Sequence, residues 1–203
     1  MRVLMSIFAL LLLFPPTTTA GEWVHPFDFP QSDKAPDVFY VAIEIPVGSS
    51  TKYEIDADTG HVMVDRFVRM PVAYPANYGS VCQTLGGDGD PLDVLVFTRE
   101  PLHPGVIIEV RPVAILKTID GGKTDDKIIA VPTNKIDPSY NKIQDIRDLP
   151  VDDRMRVEAF FRVYKQLRSD NPIRIKDWGG AEEAKKVLKM TMAVYKDRVR
   201  SEP

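Results

Sequence analysis

Residues 38–48 read VFYVAIEIPVG, and how this run is read decides the fold. Its apolar side chains alternate, with Val41, Ile43 and Ile45 on one face and Tyr40, Ala42 and Glu44 on the other, which is the period of a strand. Working outward, KYEID (52–56), the turn signal Asp58-Thr59-Gly60 and HVMVDRF (61–67) read as a hairpin. PLDVLVF (91–97), GVIIEVRPVAIL (105–116) and DKIIAVP (126–132) give three more strands, punctuated by Gly, Pro and Asp. Residues 21–36, rich in Pro and aromatics, read as an extended arm and loop.

Two helices close the chain. Leu149-Pro150 leads into the acidic turn Asp152-Asp153, after which Phe160, Val163, Tyr164 and Leu167 recur at helical spacing. From about Gly180 to Arg198, a second helix sets Ala184, Val187, Leu188, Thr191 and Tyr195 on one stripe. Short strands followed by segregated helices define an α+β chain, mainly β. Five or so antiparallel strands suit a small Greek-key barrel with the helices packed on it.

With 203 residues, 44% hydrophobic and 27% charged, the chain is sized for one soluble domain. A net charge of −3 argues against a general nucleic-acid binder. The first residues stand apart: MRV, then LMSIFALLLLF, then PPTTTA. This is the plan of a secretory signal over residues 1–20, cut ahead of Gly21, and its apolar run is too short for a stable membrane span. It predicts an exported protein, periplasmic or secreted, with one domain over residues 21–203. A start codon placed too far upstream would make the protein cytoplasmic instead. One Cys and three His exclude a disulfide framework and a thiolate metal cluster, and the absence of HExxH or paired spacing argues against a zinc site. Any metal here would sit among oxygens.

The chemistry gathers at GGDGDPLDVLVF (86–97). Asp88, Asp90 and Asp93 crowd the point where a loop becomes an apolar strand, an arrangement that costs stability unless a cation neutralises it. An EF-hand is excluded, because Leu92, Asp93 and Arg99 stand where an oxygen ligand, Gly and Glu are needed. Gly122-Lys123-Thr124 resembles the end of a P-loop, but Lys117 occupies the place of its first Gly. A polar turn would account for Asp88 and Asp90, though not for Asp93 within the strand. Asp120 and Asp125 flank a second loop, Glu44 and Glu54 interrupt β-type runs, and Lys52, Arg66 and Lys127 add cations in strand settings. This mixture describes a site for a metal plus an anion.

The motif Asp88-Gly89-Asp90-Pro91-Leu92-Asp93-Val94 resembles the signature of the soluble family I inorganic pyrophosphatases of bacterial type. IEIP, KYEID, VDRF, YPANYG, IDGGKTDDK and FFRVYK follow the same family in order across residues 37–197. The resemblance implies a five-stranded OB-like barrel and Mg²⁺-dependent hydrolysis of pyrophosphate to two orthophosphates, with a metal-activated water as nucleophile. It makes Asp88, Asp93, Asp120 and Asp125 the metal ligands and Asp90 the acceptor of the water's proton, with a further metal ligand as the other role for Asp90. Lys52, Arg66, Lys127 and Lys165, with the hydroxyls of Tyr78 and Tyr164, become the phosphate contacts. Glu44 and Glu54 become supporting groups behind them, and Tyr74 a core aromatic. Mn²⁺ would substitute and Ca²⁺ inhibit. A homo-oligomer is also implied, commonly a hexamer. The competing readings are a non-catalytic OB-like barrel binding an anionic ligand and a secreted Ca²⁺-binding protein.

Overall fold

Five strands close into a ring in the computed structural model, which describes residues 23–167 and 173–201. The expected leader over residues 1–20 lies outside the described residues. The strands are β1 (Phe39–Ile45), β2 (Thr51–Ile55), β3 (Val62–Phe67), β4 (Asn77–Val81), β5 (Asp93–Val96), β6 (Ile107–Asp120), β7 (Lys123–Thr124), β8 (Lys127–Pro132) and β9 (Arg174–Gly180). The order β1-β4-β5-β8-β6 returns to β1 through a β1–β6 ladder. This is the OB-like barrel expected, with one departure from the antiparallel reading: β5 and β8 run parallel. β9 adds to β6 outside the ring, while β2 and β3 form a separate two-stranded ribbon.

Alternate residues of all five ring strands share one apolar cluster, among them Val41, Ile43, Val81, Val94, Val96, Ile108, Val110, Ile128 and Ala130. Residues contributed by every strand of a closed ring can meet only on its inner face. The helix α2 (Ala181–Ser201) adds Ala184 and Leu188 to that cluster. The outer face carries Leu95, Leu116, Ile129 and Val131, covered by Val157, Phe160 and Phe161 of α1 (Val151–Val163). Cys82, Ala42 and Ile55 make a third cluster with Phe27 and Phe29 of the N-terminal arm.

Other sequence readings change as well, and β9 was not expected. β4 was not expected, because Asn77, Gly79 and Ser80 are poor strand formers. Gly79 is needed there, since a Cβ would collide with the backbone of Ala42. Ile45 leaves the face of Val41 and Ile43 at a β-bulge: Ile43 pairs Gly79 and Ile45 pairs Tyr78, so Glu44 is the extra residue. Leu167 lies beyond the end of α1 and is 62% exposed.

Candidate active site

Every site residue expected from the sequence lines one cleft of about 1400 Å³. Its acidic wall comes from the barrel. The loop before β5 supplies Asp88 and Asp90, the first residue of β5 is Asp93, and the β6 end and the segment before β8 supply Asp120 and Asp125. The two loops face each other as anticipated, and the Lys123 ammonium donates to the Asp88 carbonyl at 3.4 Å. A strand follows the aspartates where an EF-hand would place a helix.

Asp93 lies beside Ser80 on one neighbouring strand and beside Lys127 on the other. The Lys127 ammonium, only 2% exposed, is clasped by Asp93 and Asp125 and stands 5.9 Å from the centre of the Phe161 ring. Burial works to lower the Lys127 pKa, and the two carboxylates outweigh it, so the amine stays charged. Burial raises Asp125 to about 6 despite that ammonium, with the Asp93 charge adding to the effect. Lys165 makes a similar ion pair with Asp120.

Asp90 differs from its neighbours. Its backbone N–H donates to Asp88 Oδ1 at 3.2 Å and its carbonyl accepts from Gly86 at 2.7 Å, which fixes the loop. No ion pair joins its carboxylate among the described residues. Burial, and then the charges of Asp88 and Asp93, raise its pKa, so it is a better proton acceptor than an ordinary carboxylate.

Cations from the ribbon line the same cleft. Lys52 and Arg66 are cross-strand partners on β2 and β3. At that level Lys52 pairs Arg66 while Tyr53 pairs Val64, so Asp65 is the extra residue of a second bulge. The bulge lets Asp65 join two neighbours that strict alternation would keep apart: it pairs with Arg66 and stands 3.1 Å from Lys52. Lys52 also pairs with Glu54. Burial lowers the Lys52 pKa.

Behind the carboxylates, Glu44 is 6% exposed. Its Oε1 accepts from the Ile55 N–H at 3.0 Å and its Oε2 from the Ser80 hydroxyl at 3.3 Å. Burial pushes its pKa to about 7, against the Ile55 bond and with the help of the Asp93 charge. Tyr78 and Tyr164 line the cleft, both with pKa raised by burial, so their hydroxyls stay protonated donors. Tyr74, 3% exposed, packs on Tyr78 and Phe160 as a core aromatic.

Sequence reasoning missed Asp65, Ser80 and Lys123. Asp65 and Lys123 each lie beside a recognised residue, in VDRF and IDGGKTDDK. Only the pairing register, invisible in a single chain, places Ser80 beside Asp93.

The donor set fits a hard divalent cation, being carboxylate oxygen throughout. Among the described residues, however, no three such groups are already gathered as a metal cage. Asp93 and Asp125 pair with Lys127, and Asp120 with Lys165.

Known proteins resemble this chain closely. The model of the inorganic pyrophosphatase family matches residues 41–196. The inorganic pyrophosphatase of Aquifex pyrophilus is 43% identical over 169 residues, covering 83% of this chain and 96% of that one. The Sulfolobus acidocaldarius protein of the same name is 47% identical over 158 residues, covering 78% and 91%. The crystal structure of inorganic pyrophosphatase from Thermus thermophilus superposes with a TM-score of 0.82 at 37% identity, covering 85% of this chain and 99% of that one. The chain belongs to the family I inorganic pyrophosphatases.

Proposed function

We propose that this protein hydrolyses inorganic pyrophosphate to two orthophosphates with Mg²⁺ as its divalent cation. The observation that carries this reading is the gathering in one cleft of carboxylates from the barrel and cations from the ribbon. Pyrophosphate needs both, because its own charge must be offset while a water is made nucleophilic. Asp88, Asp93, Asp120 and Asp125 would hold Mg²⁺, which when bound neutralises substrate charge and makes water more acidic. Asp90, with its raised pKa and no ion-pair partner among the described residues, takes the proton of the attacking water. Lys52 and Arg66 bind one side of the substrate, Arg by a two-point fork and Lys as a compact charge. Lys127 and Lys165 release carboxylates and turn to phosphoryl oxygens, while Tyr78 and Tyr164 donate hydroxyl protons. Glu44 and Glu54 orient these groups from behind. A Ca²⁺-binding module would have no use for the cationic wall, and a non-catalytic anion binder none for the aspartates.

Phosphate release from pyrophosphate by the full chain, with Mg²⁺, without metal, and with Asp90→Asn, tests this reading. Metal-dependent turnover that falls about 10²–10⁴-fold in the variant is expected. Folded protein without turnover in Mg²⁺ or Mn²⁺ would refute it, and Ca²⁺ should inhibit. The leader at residues 1–20, export, the single domain over residues 21–203 and homo-oligomeric assembly, a hexamer included, rest on the sequence and its resemblance. N-terminal sequencing of native material should begin at Gly21, whereas Met1 would place the protein in the cytoplasm. Light scattering would give the assembly size.

A further inference from the structure

The ribbon that carries Lys52 and Arg66 has no ladder to the barrel, and a two-stranded ribbon alone is marginally stable in water. At its base, Gly48 donates to the Tyr74 carbonyl at 2.9 Å and Tyr74 to the Ser49 carbonyl at 2.9 Å. Its far tip, residues 56–61, meets the N-terminal arm. The Trp23 ring lies against Gly60, so close that a Cβ there would penetrate it, and Gly60 has φ +67. His25 accepts the Phe27 N–H on Nδ1 at 3.1 Å, which leaves Nε2 to donate to the Asp56 carbonyl at 3.0 Å. One imidazole thus joins the arm to the tip.

The arm is itself anchored to the barrel. Gln83 N–H donates to the Phe27 carbonyl at 2.6 Å. The Gln31 amide donates to the carbonyls of Tyr40 and Cys82 at 3.0 and 2.8 Å, and its Oε1 accepts the Tyr40 N–H at 2.9 Å. Phe27 and Phe29 pack on Ala42, Ile55 and Cys82. Asp28 Oδ1 accepts from the Tyr195 hydroxyl of α2 at 2.6 Å. The arm therefore spans barrel, terminal helix and ribbon tip, and it lies outside residues 41–196 that the family model matches.

We propose that Trp23 and His25 are positioning residues: together with the Ile55 N–H bond to Glu44 they latch the ribbon tip to the barrel and thereby set where Lys52 and Arg66 stand in the cleft they share with the aspartates. This rests on the pyrophosphate reading for its kinetic form. Neither residue touches the reacting atoms, so the effect is on substrate capture. A ribbon released at one end still visits the bound position, and each visit costs affinity.

The test is Trp23→Ala/His25→Ala in the full chain, read by KM and kcat for pyrophosphate and by amide exchange. KM should rise roughly 5–20-fold, less than the about 10² that a fixed 1 Å misplacement can cost, with kcat held within about twofold. Exchange should quicken in residues 52–67 and stay unchanged in β5 and β8. Gly60→Ser, which displaces the Trp23 ring from the other side, should reproduce the KM effect and add little to Trp23→Ala. Unchanged KM and unchanged ribbon exchange would overturn the latch. So would a uniform loss of kcat and of barrel protection, the signature of a merely structural role. If the unaltered chain shows no turnover, the pyrophosphate reading fails, and exchange alone decides the latch: faster ribbon exchange upholds it and unchanged exchange rejects it.

Discussion

Two lysines of the cleft each face a pair of carboxylates, and they are held in opposite ways. Lys127 sits in the closed ring, 2% exposed between Asp93 and Asp125, with ladders on both sides of its strand. Lys52 sits on the ribbon, 16% exposed, and one of its partners, Glu54, is 51% exposed. The first charge is fixed by the core and cannot be removed without stranding its neighbours. The second is fixed by the posture of the ribbon, and water softens its loss. A site built this way keeps a rigid acidic wall and an adjustable basic one.

The comparison breaks most visibly at Lys127. Lys127→Met keeps the volume but leaves two partly buried carboxylates uncompensated around a buried site, and should destabilise the protein by about 3 kcal/mol near pH 8. Denaturant unfolding should show the loss shrinking toward pH 4, as Asp125 takes up its proton. A small, pH-independent loss would mean that the ring does not hold this charge as described.

Glu44 sharpens the picture from behind the same wall. Its pKa is about 7 when folded, against about 4.5 for an ordinary glutamate, so the folded state binds the extra proton between those values. Stability from this group is therefore full below about pH 4.5 and is lost as pH rises through about 7, on the order of 3 kcal/mol. Glu44→Gln keeps the acceptor for the Ile55 N–H and needs no ionisation, so its stability relative to the parent should rise from pH 5 to pH 8. Unfolding of both proteins in a chelator measures this, and parallel pH curves would reject the buried-acid account.

The smallest effect belongs to the ribbon. Lys52→Ala should change stability by no more than about 1 kcal/mol, because Glu54 is exposed and Lys52 itself lies nearer water than Lys127, while KM for pyrophosphate rises. A stability loss matching that of Lys127→Met would erase the distinction between the two walls.

What a single chain reveals of this molecule follows from how each feature is encoded. The hairpin, β1, β5, β6 and β8 announce themselves through apolar period and turn residues, and α2 through its stripe. The aspartates were legible because Asp93 lies where turn chemistry cannot explain it. β4 stayed hidden because its composition answers to a close backbone contact at Gly79. Glu44 and Asp65 owe their aim to bulges, and a bulge is a property of two strands at once. The parallel β5–β8 pair is equally a matter of long-range pairing.

Ring closure also bears on how the chain reaches this state. β1 must find β4 at residues 77–81 and β6 at residues 107–110, and the ring is not complete until β8 ends at Pro132. Contacts so distant in sequence place the protein among slow-folding, high-contact-order topologies. A nascent chain that has not yet exposed β8 has no closed hydrogen-bonded ring to occupy, and a fragment ending before it should stay unfolded. Two fragments cut in an exposed loop should fold only when they meet.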